Sequence, residues 1–161
     1  MALSIYQRDF EFILIDPAEE KVDQLKTCVG LQVHYFPNVS SFNTFLRPLR
    51  NTSKHLILVT SIDTIKSLSS DIKQKVREVF VYAENCESSL STFSEVCLNL
   101  CGFVIMHFLA QSHTYYRSND DGLARTYTEK SLALNKILTQ KLELLQEELD
   151  EKIKYGEEEQ V

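Results

Sequence analysis

Three groups of side chains in this chain have the types and positions for chemistry. The first collects where short apolar runs stop: Asp16 follows FEFILI, Thr60 and Ser61 follow HLILV, and Glu84 follows VFVYA. Acids and hydroxyls brought to one edge of a sheet could bind a small ligand or a cation, although Asp63 beside Ser61 is also an ordinary helix start. The second group is Cys28 with His34 or His55, a nucleophile and base by type. Cys28 falls in the last turn of an expected helix, where the dipole disfavours a thiolate, and His34 lies within an expected strand. The third is Cys97, Cys101, His107 and His113, all zinc-ligand types. On one helix, with Cys97 at zero, the other three point near about 40°, 280° and 160°, so they do not converge. The expectation is buried thiols and surface histidines.

Composition narrows the field further. The 161 residues are 43% apolar, enough for one core or for a small domain with a helical appendage. Residues 120–161 hold eleven acids and six bases (−5), whereas residues 1–119 hold twelve acids and eleven bases (−1). An acidic chain without basic runs interleaved with aromatics repels phosphate backbones, so no nucleic-acid partner is expected. The most apolar stretch, residues 96–110, is about fifteen residues long and contains Asn99 and His107, short of a bilayer span. No membrane association is expected. The N-terminus lacks a secretory pattern, and the four cysteines read as reduced thiols in a cytoplasmic protein. Only Gly30, Gly102, Gly122 and Gly156 occur, so no glycine-rich phosphate loop exists and no cofactor is expected.

The elements that must position these residues alternate. FEFILI (10–15), LQVHYF (31–36), HLILVT (55–60) and EVFVYA (78–83) read as strands whose centres lie roughly 21–24 residues apart, room for one helix between each pair. Asp16-Pro17 is read as the cap of the first helix, ending at Gly30, and Ser40 or Ser41 as the cap of the second, with Phe42, Phe45, Leu46 and Leu49 inward and Pro48 keeping it short. Ile62, Ile65, Leu68 and Ile72 face inward from a third. Strands alternating with helices pair in parallel, with helices on both faces. From about 87 to 117 the period becomes helical; GFVIMHF (102–108) could instead be a fifth strand. RSNDDG then turns the chain into a second long helix, Leu123 to about Tyr155, with Leu134, Leu138, Leu142, Leu145, Leu149 and Ile153 on one face and a fraying GEEEQV end.

Residues 10–85 resemble the receiver domain of two-component signalling, a flavodoxin-like fold whose usual strand order is 2-1-3-4 in its first four strands. That resemblance implies metal-binding acids after the first strand, a phosphate-accepting aspartate after the third and a hydroxyl after the fourth. Asp16 matches the first; HLILVTS offers Thr60 and Ser61 at the acceptor position, and VFVYAEN offers Tyr82, Ala83 and Glu84 at the hydroxyl position. Residues 108–134 resemble a single tetratricopeptide hairpin, with Phe108, Ser112, Tyr115, Ala124, Ser131 and Leu132 near its packing positions. The reading is therefore α/β: a small parallel four-stranded or five-stranded receiver-like sheet over residues 1–86, then a helical hairpin over 87–161. The expected function is non-enzymatic protein interaction or scaffolding of a pseudo-receiver type. The partner-binding candidates are Leu138, Leu142, Leu145, Leu149 and Ile153, through a partner helix or self-association as a coiled coil. The alternative is a ligand-binding protein or enzyme working around Asp16, Thr60, Ser61 and Glu84.

Overall fold

The computed structural model describes residues 10–46, 55–76, 78–83 and 91–158. In chain order the elements are β1 (Phe10–Ile15), α1 (Lys21–Val29), β2 (Val33–Phe36), α2 (Val39–Leu46), β3 (His55–Ser61), α3 (Ile62–Ser67), α4 (Ser70–Lys75), β4 (Glu78–Tyr82), α5 (Phe93–Arg117) and α6 (Asp121–Glu158). The four strands form one sheet in the order β2-β1-β3-β4, and every pairing is parallel. The α/β architecture expected from the alternation is present, with a long helix pair at the C-terminal end.

The apolar runs follow from burial on both faces. Along β1, Phe12 and Leu14 point into one core and Ile13 and Ile15 into the other, and all four are essentially inaccessible. Each such side chain contributes about 1.5–3 kcal/mol on leaving water, which is why the run cannot alternate with polar residues. One core is closed by α1, α5 and Leu134 of α6; the other by α2, α3 and α4. The long C-terminal pair thus lies on the sheet through α5. At its edge Cys101 donates its S–H to the Leu134 carbonyl, 3.7 Å away.

Several local expectations are corrected. Residues 102–108 belong to α5, which starts at a Thr92–Glu95 capping box and runs unbroken to Arg117, so no fifth strand forms there. The first helix begins at Lys21 and not at Pro17, because residues 17–20 form a turn. The second is capped by Asn38, whose side-chain oxygen accepts from the Ser41 N–H at 2.9 Å; Ser40 and Ser41 lie within the helix. Pro48 and Leu49 fall outside the described residues. The third breaks in two, with Leu68 and Ser69 extended between α3 and α4. That break lets Leu68, Ile72 and Val76 all reach the core from short helices. Finally, α6 holds its helix through Gly156 to Glu158 where fraying was expected.

The turn between the long helices has its own logic. Asn119 takes a left-handed conformation (φ 60°), which asparagine tolerates better than most residues, and Asp120 caps α6 by accepting from the Leu123 N–H at 3.1 Å. Of the positions shared with the tetratricopeptide pattern, Phe108, Ala124 and Ser131 are buried, while Leu132 faces solvent.

Candidate functional sites

Parallel pairing brings the carboxyl ends of β1, β3 and β4 to one edge, with Ile15 beside Thr60 and Ser61 beside Tyr82. Asp16 continues the edge of β1, its N–H donating to the Phe36 carbonyl at 3.2 Å. Its carboxylate is buried and holds three donors: the Ala18 N–H on Oδ1 at 2.7 Å, the Lys21 ammonium on Oδ2 at 2.9 Å, and the Tyr82 hydroxyl, also on Oδ2. Lys21 in turn sits over the Tyr82 ring at 4.8 Å and the Phe93 ring at 5.6 Å, two rings that meet edge to face. A buried charge needs this much compensation. Asp16 therefore ties the β1–α1 turn to α1 and β4, and is not the N-cap of α1, which has no side-chain cap.

The other strand-end candidates do not join it. Thr60 is fully buried and donates its hydroxyl to the Ile15 carbonyl at 3.0 Å, a bond between neighbouring strands. Ser61 caps α3: its Oγ accepts from the Thr64 N–H at 3.3 Å and lies 3.0 Å from the Thr64 hydroxyl. Glu84 lies outside the described residues. Among those residues, no three metal-ligating side chains gather in one place. A cleft of about 520 Å³ opens beside this edge, lined by Lys21, Tyr82, Ala83, Thr92 and Phe93 among others, but neither Asp16, Thr60 nor Ser61 lines it. Partial burial, with the carboxylates of Glu19 and Asp16 nearby, pushes the Tyr35 phenol above its usual pKa. The partners Lys21, Tyr82 and Phe93 escape sequence reading because they come from three separate elements; only Lys21, a turn away from Asp16, leaves a local trace.

The thiols occupy a second place. Cys28 of α1 and Cys97 and Cys101 of α5 are buried in one core. Cys28 is pushed down to about 6 by the Cys97 thiol that donates to it and by the Lys141 ammonium, against the opposing effect of burial. Cys97 is pushed up by sharing its proton with Cys28 and by burial. Burial also raises Cys101, to about 11. So the partner of Cys28 is another cysteine. His34 lies 3.9 Å from Glu11 and packs on Phe45, and the side chain of His55 lies outside the described residues. His107, expected at the surface, is buried edge to face against Phe10, with ring centres 4.8 Å apart; His113 is exposed.

The leucine stripe forms the third. Ser112 donates to the Ala124 carbonyl, Cys101 to the Leu134 carbonyl, and Ser94 and Leu98 border a cleft of about 230 Å³ with Lys141, Leu144, Leu145 and Glu148. The two hydrogen-bonded pairs, 112 with 124 and 101 with 134, set an antiparallel register in which the start of α5 at Phe93 falls opposite residues near 143. About fifteen further residues of α6, roughly 22 Å of helix, extend beyond it. Leu134 is buried, and Leu138 and Leu145 are half-buried. Leu142, Leu149 and Ile153 are 50%, 54% and 59% exposed, with Leu144 and Tyr155 exposed beside them.

By length and composition α5 could cross a membrane, but half of its most apolar window is buried inside the fold. Fold and sites together define an α/β protein with a parallel sheet in 2-1-3-4 order and a helical hairpin whose second helix outruns the first. Comparison with family models, curated proteins and solved structures finds no match.

Proposed function

We propose that the chain is a non-enzymatic protein–protein interaction or scaffolding module of pseudo-receiver type, acting in the cytoplasm, with the C-terminal helix as its contact surface. One observation carries this reading: α6 outruns α5 and keeps its apolar stripe, Leu142, Leu149 and Ile153, exposed among the described residues. The strand end supports it from the other side. Asp16, the one residue matching a receiver's acids, has its carboxylate filled by Ala18, Lys21 and Tyr82, and Thr60, at the phosphate-accepting position, is spent between strands.

Photo-crosslinking in cells tests the reading. Full-length protein with a photoreactive side chain at Leu149 is compared with the same protein labelled at Lys73, an exposed position on α4. A discrete crosslinked product from position 149 and none from 73 is the expected result. Equal background from both would remove the helix as a contact surface.

A further inference from the structure

We propose that Cys28 and Cys97 are a redox-responsive dithiol that hydrogen peroxide converts to a disulfide, bolting α1 to α5. The proposal stands apart from the interaction reading above and begins with how the two helices lie. Both α1 and α5 follow a parallel strand and return over the same face of the sheet, so they run side by side in the same direction. The Gln24 side-chain amide donates to the Ser94 hydroxyl at 3.3 Å and sets their register. One turn further along, residue 28 of α1 comes opposite residues 97 and 98 of α5. There Cys28 and Cys97 are 0% and 1% exposed in one core, and the Cys97 thiol donates to Cys28. Cys101, the next thiol along α5, is bonded instead to the Leu134 carbonyl.

The surroundings suit this pair for oxidation. The Cys97 donor and the Lys141 ammonium of α6 hold Cys28 as the thiolate at neutral pH, the form that attacks peroxides. Lys141 also lines the cleft of about 230 Å³ with Gln24, Ser94 and Leu98, so an opening with room for a peroxide molecule reaches the residues that flank both thiols. In the first step the Cys28 thiolate attacks one peroxide oxygen, the O–O bond breaks, and the departing hydroxide takes a proton to become water, leaving Cys28 as a sulfenic acid. In the second the Cys97 sulfur attacks the Cys28 sulfur: the S–S bond forms, the S–O bond breaks, and hydroxide leaves as water with the proton of Cys97. Peroxide gains the two electrons that the thiols lose.

The test exposes the reduced full chain to hydrogen peroxide, unfolds it, blocks the remaining thiols with N-ethylmaleimide, and reads the intact mass and the tryptic peptides. Before blocking, the expected product has lost about 2 Da; it then takes up label at two of its four cysteines, holds Cys28 and Cys97 in one linked peptide, and reverts with dithiothreitol. Cys97→Ser and Cys97→Ala should both abolish the link, whereas Cys86→Ser and Cys101→Ala should keep it. The ultraviolet absorbance of the Cys28 thiolate should appear with a midpoint near pH 6. Lys141→Gln should move that midpoint upward and slow the link about threefold near that pH. Peroxide-treated wild type that keeps all four thiols, that stops at a sulfinic acid on Cys28, or that links Cys28 to Cys101 overturns the proposal.

Discussion

The strand-end edge and the far end of α6 contrast in how they treat their most conspicuous residues. At the edge, an acid that looks available in sequence is closed off by donors from its own turn, α1 and β4. Along α6, stripe residues that look like ordinary core positions are buried at Leu134, half-buried at Leu138 and Leu145, and exposed at Leu142, Leu149 and Ile153. A polar group inside a fold must find partners or destabilise it, whereas an apolar side chain at the surface loses only the burial it might have had. The charged cluster is therefore read first as structure, and the exposed stripe first as function.

Removing the acid should break that contrast if it is wrong. Asp16→Ala leaves the Lys21 ammonium and the Tyr82 hydroxyl without their shared acceptor, and a loss of about 3–5 kcal/mol in urea denaturation is expected. A ligand-binding acid kept at the expense of stability would behave oppositely: its removal would leave the protein unchanged or more stable. Asp16→Asn keeps an acceptor for Ala18 and should lose less.

Leu134 and Gly30 probe where the stripe is closed. Leu134→Ala should cost about 3 kcal/mol, since that side chain fills the junction of α1, α5 and α6. Gly30, in the left-handed region at φ 62°, ends α1 within reach of the same leucine: an added Cβ would stand 3.1 Å from Leu134 Cδ2. Gly30→Ala should cost about 2 kcal/mol, from backbone strain and crowding together. Gly102, in mid-helix with open space at its Cβ position, is the counter-case, and Gly102→Ala should stabilise by about 0.5–1 kcal/mol.

The contact between the long helices also has a pH signature. Burial raises Cys101 from 9.0 in the unfolded chain to about 11, so the fold favours the neutral thiol. Its contribution is intact below pH 9 and is lost as pH rises through about 11, to a total of about 2–3 kcal/mol. Measured as the difference between wild type and Cys101→Ala, which cancels the other alkaline titrations, the stability gap should close over that interval. A gap independent of pH would place the thiol in a more solvated setting.

Much of the architecture was legible because periodicity is a local signal. FEFILI matches β1 residue for residue, HLILVT and EVFVYA miss β3 and β4 by a single residue at the end, and LQVHYF overruns β2 by two at its start. Local chemistry misled where a better partner was close by: Asn38 outcompeted Ser40 and Ser41 for the cap of α2, and the extended Leu68–Ser69 pair broke a stripe that reads as one helix. What convergence decides stayed hidden. Asp16 and Tyr82 are 66 residues apart, and only β1, β3 and β4 lying side by side brings them together. His107 reads as a surface residue until Phe10 of β1 is placed against it. The candidate stripe was legible, but not the point at which it leaves the fold, which depends on where α5 begins.

The smallest expected effect is the sharpest test of that point. Leu149→Ala removes the same atoms from the same helix face as Leu134→Ala, yet Leu149 is 54% exposed and lies past the register position where α5 ends. Its stability change should stay within about 0.5 kcal/mol, set by helix propensity alone, and in favour of alanine. The pair of substitutions holds chemistry constant and varies only position, so their difference measures what α5 covers. A loss at Leu149 approaching that at Leu134 would mean that this leucine is already covered in the free chain, by its own fold or by a second copy. Dilution separates those two cases, because only the second makes the loss depend on protein concentration.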